Sequence, residues 1–96
     1  MPRYRLSVRA AADVTGIADY TIERFGINQA RRYRDGLEAS FESLAANPLL
    51  GRSAEELAAN LRRFEHESHV VYYEPQDGSV LIVRVLHETM DVPRHL

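Results

Sequence analysis

Apolar positions recur along this chain with two different periods, and the change of period divides it. Through Val14, Ile17, Ala18, Thr21 and Phe25 the spacing is three or four, the repeat of one helix face turned inward. Ser7 stands where such a helix needs an N-cap, and Gly26 supplies a left-handed stop at its end. A second helix is capped by Asn28. It runs through Ala30, Tyr33, Leu37, Phe41 and Leu44 to Asn47 and Pro48, which end it. With two or three residues between them, the pair forms an antiparallel α-hairpin. Gly16 and Gly36 fall off the apolar stripes and read as tolerated positions without a functional role, each costing up to ~1 kcal/mol relative to alanine.

Elsewhere the period is two. RYRLS, Arg3 to Ser7, alternates polar and apolar side chains as a short N-terminal strand does. The connector NPLLGRSAEEL reads as a turn with at most one helical turn. Beyond it β-branched and aromatic residues dominate, placing strands near Arg62–Glu65, His69–Glu74 and Val80–Leu86; PQDGS, with Asp77-Gly78, is a hairpin signal between the last two. The tail ETMDVPRHL is too short and polar to join a core. The order predicts one domain over residues 1–96 of the α+β class, with two layers: an N-terminal strand, an antiparallel α-hairpin, then a three-strand antiparallel meander.

Composition narrows the chemistry. Apolar types make up 45% and charged types 27% of the 96 residues, ordinary values for a folding chain. Apolar runs fall well short of the roughly 20 residues of a membrane helix, and MPRYRLSVRAAADV lacks a secretion signal, so the expected compartment is the cytoplasm with no membrane contact. Without cysteine, thiolate zinc sites, disulfides and thiol nucleophiles are excluded. All twelve basic residues are arginine, planar forks suited to carboxylate or phosphate. A net charge of −2 and a pI near 6.1 argue against direct nucleic-acid binding as the main activity.

Candidate chemistry is sparse. HESH places His66 and His69 three apart, where a zinc helix needs four, in a strand-and-turn region where the two would face opposite ways, His66 exposed and His69 packed. No serine sits in a nucleophile elbow, and no glycine loop could cradle phosphate. In VLIVRVLH, a regular strand puts Arg84 on the face of Val80, Ile82 and Leu86 and His87 on the other. The two could converge on one substrate only across a bulge. A buried guanidinium needs a partner, and Glu65, Glu67 or Glu74 on a neighbouring strand is the first expectation; the alternative is a clamp left open for a carboxylate or an RNA phosphate. His87 beside Glu88 could serve as a general base but lacks a paired acid, and such a histidine more often fixes a tail by hydrogen bonding. Arg31, Arg32 and Arg34 among Asp35, Glu38 and Glu42 read as a solvated mixed-sign face.

Taken in order, YRLS, IADYTIERFG, NPLLGRSAEEL, LRRF, SHVVYYE, VLIVRVLHETMD and RHL resemble the ParE toxins of the RelE/ParE toxin–antitoxin superfamily across nearly the whole chain. The resemblance implies the fold just inferred and a toxin that acts on DNA gyrase and blocks replication. It also implies a ParD-type ribbon-helix-helix antitoxin that wraps the toxin, with operator DNA reached only through that antitoxin. It implies no cofactor, no metal, no small-molecule substrate and no catalytic residue. The RelE-like relatives are ribosome-dependent messenger-RNA endoribonucleases, the alternative reading, with Arg84 as phosphate clamp and His87 as acid or base. The absence of lysine, of any tyrosine after Tyr73 and of net positive charge favours a binding toxin. Gyrase contact is expected from the tail and its neighbours: Arg62, Arg63, His87, Met90, Asp91, Arg94 and His95. Antitoxin contact is expected at Tyr20, Phe25, Arg31, Arg34, Tyr72 and Arg84, through an acidic amphipathic segment laid over the hairpin and along a sheet edge.

Overall fold

A computed structural model describes residues 3–96. In chain order the elements are β1 (Arg3–Leu6), α1 (Val8–Phe25), α2 (Ile27–Ala46), β2 (Arg52–Ser53), β3 (Arg62–His66), β4 (His69–Gln76), β5 (Ser79–His87) and α3 (Val92–His95). The sheet runs β1-β5-β4-β3-β2, with β1 parallel to β5 and the remaining pairs antiparallel. The predicted α+β arrangement is therefore present, and the three meander strands extend one or two residues beyond the ends read from the sequence. Two elements were not foreseen, β2 and α3, each too short to show a period.

Local chemistry accounts for the helix ends. The Ser7 hydroxyl accepts the Ala10 N–H at 2.9 Å, as an N-cap should. Gly26, at φ 88°, ends α1 through its N–H to the Ile22 carbonyl and at once begins α2, whose first residue is Ile27. Asn28 is thus inside α2 rather than its cap, and one residue joins the helices instead of two or three. Only a residue free to adopt positive φ can turn the chain so tightly.

Ala10, Leu37, Phe41, Leu44, Val71, Tyr73, Val80, Ile82 and Val85 form the core between the hairpin and the sheet. Phe25 is the exception to the α1 stripe: it lies at the hairpin tip, 66% exposed. A second cluster on the opposite sheet face joins Val70, Tyr72 and Leu86 to Ala54 and Leu61 of the connector, with Val92 of α3 packed on it. The tail therefore does take part in packing, contrary to expectation, through one valine.

Two close fits lock the sheet to what surrounds it. The buried Tyr73 hydroxyl donates to the Pro48 carbonyl at 2.7 Å and accepts the Gly51 N–H at 2.9 Å, closing the turn after α2. Gly36 is also engaged, since a Cβ there would sit 3.1 Å from the His66 ring. It is a packing position against β3, not an idle one.

The edge of β5 beyond β1 carries the site. β1 stops at Leu6, opposite Ile82, so the β5 backbone past that point needs other partners. Ser7 provides two, its N–H to the Ile82 carbonyl at 2.9 Å and its hydroxyl to the Val83 carbonyl at 2.7 Å. Asp13, one turn and a half along α1, accepts the Val85 N–H at 2.9 Å.

Candidate functional site

Arg84 reaches the same carboxylate. Its Nε lies 2.8 Å from Asp13 Oδ2 and its second terminal nitrogen 2.9 Å from Oδ1, a two-pronged pair with side chains only 12% and 14% exposed. The hydrogen bonds to Asp13 raise the Arg84 pKa above its ordinary value. The remaining guanidinium nitrogen donates to the His95 carbonyl of α3. Arg84 does have an internal carboxylate, as its burial required, but the partner is Asp13 on α1 and not Glu65, Glu67 or Glu74.

A bulge explains why the facing residues differ from the regular-strand reading. Tyr72 pairs with Arg84 and Tyr73 with Ile82, leaving Val83 as the extra residue of β5. Val80, Ile82 and Val85 face the helices, whereas Val83 and Leu86 pack on the opposite side. Arg84 is thereby separated from Val80 and Ile82. The bulge precedes Arg84, so Arg84 and His87 still diverge.

His87 belongs to a row of imidazoles on the helix side. His66 stands opposite His69 across β3 and β4, and His69 opposite His87 across β4 and β5. The turn between His66 and His69 reverses the chain and brings both to one face, where a single extended strand would have opposed them. His66 is accordingly half-buried, its Nδ1 3.2 Å from the Ser40 hydroxyl; its Nε2 is 3.3 Å from a Glu67 oxygen without hydrogen-bond alignment. Tyr33 of α2 lies edge-on between His66 and His69, and its hydroxyl meets His69 Nδ1 at 2.5 Å. Burial pushes the Tyr33 hydroxyl up, which keeps it protonated as a donor. His87 Nδ1 accepts the Thr89 N–H at 3.2 Å, fixing the start of the tail. Among the described residues no group of three or more His, Cys, Asp or Glu is placed to hold a metal, and no helix is long and apolar enough to cross a membrane.

Burial, followed by the neighbouring His87 and His66, lowers the His69 pKa below its ordinary 6.5. The unfolded chain therefore binds the proton more readily, so His69 contributes its full stability above about pH 6.5 and loses it as the pH falls from there towards the folded value. Melting temperatures across pH 4 to 8 are expected to fall on the acid side of about 6.5, and to fall less steeply in a His69→Gln variant.

His69 and His87 border a groove of about 810 Å³ between the helical hairpin and the end of the sheet. Ile17, Tyr20 and Phe25 form its apolar helical wall, Tyr33, His69 and His87 its polar floor. Val85, Met90 and Asp13 also line it. Tyr20 is 57% exposed and Met90 43%. Large apolar side chains left open together in a concave surface mark an interaction site.

The expected contact residues are not equally placed. Tyr20, Phe25, His87 and Met90 meet in the groove, while Arg31 and Arg34 are exposed on α2, Arg34 paired with Glu38. Asp91 and Arg94 are exposed in the tail and His95 partly so. Arg63 lies on the other sheet face over the Tyr72 ring, 5.8 Å from its centre, and Tyr72 itself is 1% exposed, leaving no surface for a partner. Arg62 is turned the other way, donating to the Gly51 and Leu49 carbonyls. Neither Arg62 nor Arg84 is an open fork. Asp13, Ile17 and Tyr33 complete the groove or its border and were not read as site residues. They sit among ordinary helix positions, and only the fold brings them to the end of β5.

A family model described as ParE toxin of type II toxin-antitoxin system, parDE, matches residues 4–92. The chain is 43% identical over 96 residues to Toxin ParE1 of Caulobacter vibrioides, covering 100% of this chain and 99% of that one. It is 39% identical over 95 residues to Toxin ParE1 of Mycobacterium tuberculosis H37Rv, covering 98% and 97%. Toxin ParE of Escherichia coli is 38% identical over 97 residues, with 100% and 94% covered. Among solved structures, the chromosomal ParDE TA system from P. aeruginosa superposes with a TM-score of 0.76 over 91% of this chain and 95% of that one. Its identity is 17%, and it supports the fold.

Proposed function

This chain belongs to the ParE toxin family of type II toxin–antitoxin systems, and from that membership we propose that it acts in the cytoplasm as an inhibitor of DNA gyrase, silenced by a ParD-type antitoxin. The observation that carries the reading is the open groove, whose exposed Tyr20, Phe25 and Met90 suit the apolar face of a partner helix. Exposed arginines on α2, Arg31 and also Arg34 in exchange for its surface pair with Glu38, can meet acidic side chains of that partner.

Toxicity in this reading comes from docking, not from bond cleavage. RNA cleavage with Arg84 as phosphate clamp would need a free guanidinium, and this one is committed to Asp13 and the His95 carbonyl. The tail from His87 to His95 is the proposed gyrase contact, with exposed Met90 and Arg94 as anchors. Purified protein should inhibit gyrase supercoiling, and cognate antitoxin should restore it. Alanine at Met90 and Arg94 together is expected to weaken inhibition by ~10-fold or more, while exposed positions leave stability within about 0.5 kcal/mol per site. Unaltered inhibition and growth arrest by that folded double variant would remove the tail from the interface. Cleavage of messenger RNA on translating ribosomes would overturn the docking reading altogether.

A further inference from the structure

Two separate parts of the chain converge on the guanidinium of a third. Asp13 is in α1, Arg84 in β5, 71 positions away, and the third party is the His95 carbonyl in α3. Asp13 satisfies the Val85 N–H left unpaired by the short β1, and holds Arg84 from two sides. The third guanidinium nitrogen of Arg84 then donates to the tail. α3 is also held through Val92 in the outer cluster, and the segment before it is tied down by the Glu88 N–H to the Ser68 carbonyl at 2.9 Å and by Met90 in the groove. The position of Arg94, two residues from Val92 and next to His95, therefore depends on a guanidinium that Asp13 orients.

We propose that Asp13 is a positioning residue for target binding: through Arg84 it holds α3 in the pose in which Arg94 and Met90 meet gyrase. The inference rests on the reading of the tail as the target contact. A salt bridge with so little exposure is a weak source of stability, because desolvation offsets most of its attraction, whereas its fixed two-pronged geometry is well suited to setting a direction. Asparagine keeps the shape of aspartate and one acceptor for Val85 but cannot hold both prongs of Arg84. Lysine at position 84 keeps a cation near Asp13, yet as a point charge it cannot span the carboxylate and the His95 carbonyl together.

The test compares wild type with Asp13→Asn and Arg84→Lys, the second chosen because Arg84 does not line the groove. Backbone order parameters of Arg94 and His95 should drop from about 0.85 to below about 0.6 in both variants while β4 and β5 stay rigid. Gyrase inhibition should weaken at least tenfold in both, antitoxin affinity should change less than threefold in Arg84→Lys, and the double variant should inhibit gyrase no worse than the poorer single one. A tail that stays ordered in both variants overturns the proposal. So does a loss of gyrase inhibition in Arg84→Lys matched by an equal loss of antitoxin affinity, the mark of a merely structural role. If wild type leaves gyrase untouched, the target reading alone falls, and the order parameters still decide whether Asp13 holds the tail.

Discussion

Alanine at Gly51 is expected to destabilise the protein by about 3 kcal/mol or more, lowering the melting temperature by roughly 12–24 °C. The added Cβ would lie 2.7 Å from the Tyr73 hydroxyl and closer still to the Arg63 carbonyl oxygen. Neither neighbour can move cheaply. The carbonyl belongs to β3 where it pairs with β2, and the hydroxyl is held between Gly51 N–H and the Pro48 carbonyl inside the core. Displacing the ring would leave two backbone groups unsatisfied as well as opening the packing, each a loss of about 1–3 kcal/mol. Because small domains have only about 5–15 kcal/mol of stability in total, the variant should be partly unfolded at growth temperature. Thermal unfolding of Gly51→Ala beside Gly16→Ala makes the check. Gly16 has nothing within 4 Å of a Cβ, and alanine there should be neutral or mildly stabilising as a helix former. Equal melting temperatures for the two would mean the turn after α2 accommodates the methyl group.

The same turn illustrates what the sequence could and could not disclose. The hairpin and the meander were legible because each spans several repeats of its own period, so a single misplaced residue does not hide the pattern. β2 has two residues and no period, and the significance of Gly51 rests on the Tyr73 ring, which only the folded sheet brings beneath it. Phe25 continued the α1 stripe and was read as inward, yet the hairpin tip at that point has no sheet beneath it and the ring is left in the groove. The bulge at Val83 inserts an extra apolar residue into an already apolar run, so no break in alternation announces it. That one residue separated Arg84 from its expected face-mates. Asp13 carried no signal of its own, being a lone acid on a helix whose partner is 71 positions distant. Alternation in the strand-and-turn region puts His66 and His69 on opposite faces, whereas the hairpin turn at Glu67-Ser68 pairs them across β3 and β4 on one face.

Replacing Tyr20 and Phe25 together by alanine is expected to weaken antitoxin binding by ~10³-fold while leaving the fold intact. The two rings are 57% and 66% exposed, so most of their surface is already in water and little core packing is lost with them. On binding, that exposed area would be covered by an apolar helix face, and aromatic anchors in a groove of this kind are worth roughly 2 kcal/mol or more each. Two such losses multiply to about a thousandfold in Kd when they act independently. The coupling between single and double variants reports whether one partner helix spans both rings. Titration calorimetry with the cognate antitoxin checks the affinity, and circular dichroism melting checks the fold. Since neither ring belongs to the tail, the double variant should still inhibit gyrase and arrest growth, and the antitoxin should no longer rescue it at concentrations that neutralise wild type. An antitoxin that neutralises the double variant as well as the parent would place its binding surface elsewhere and leave the groove without its proposed occupant.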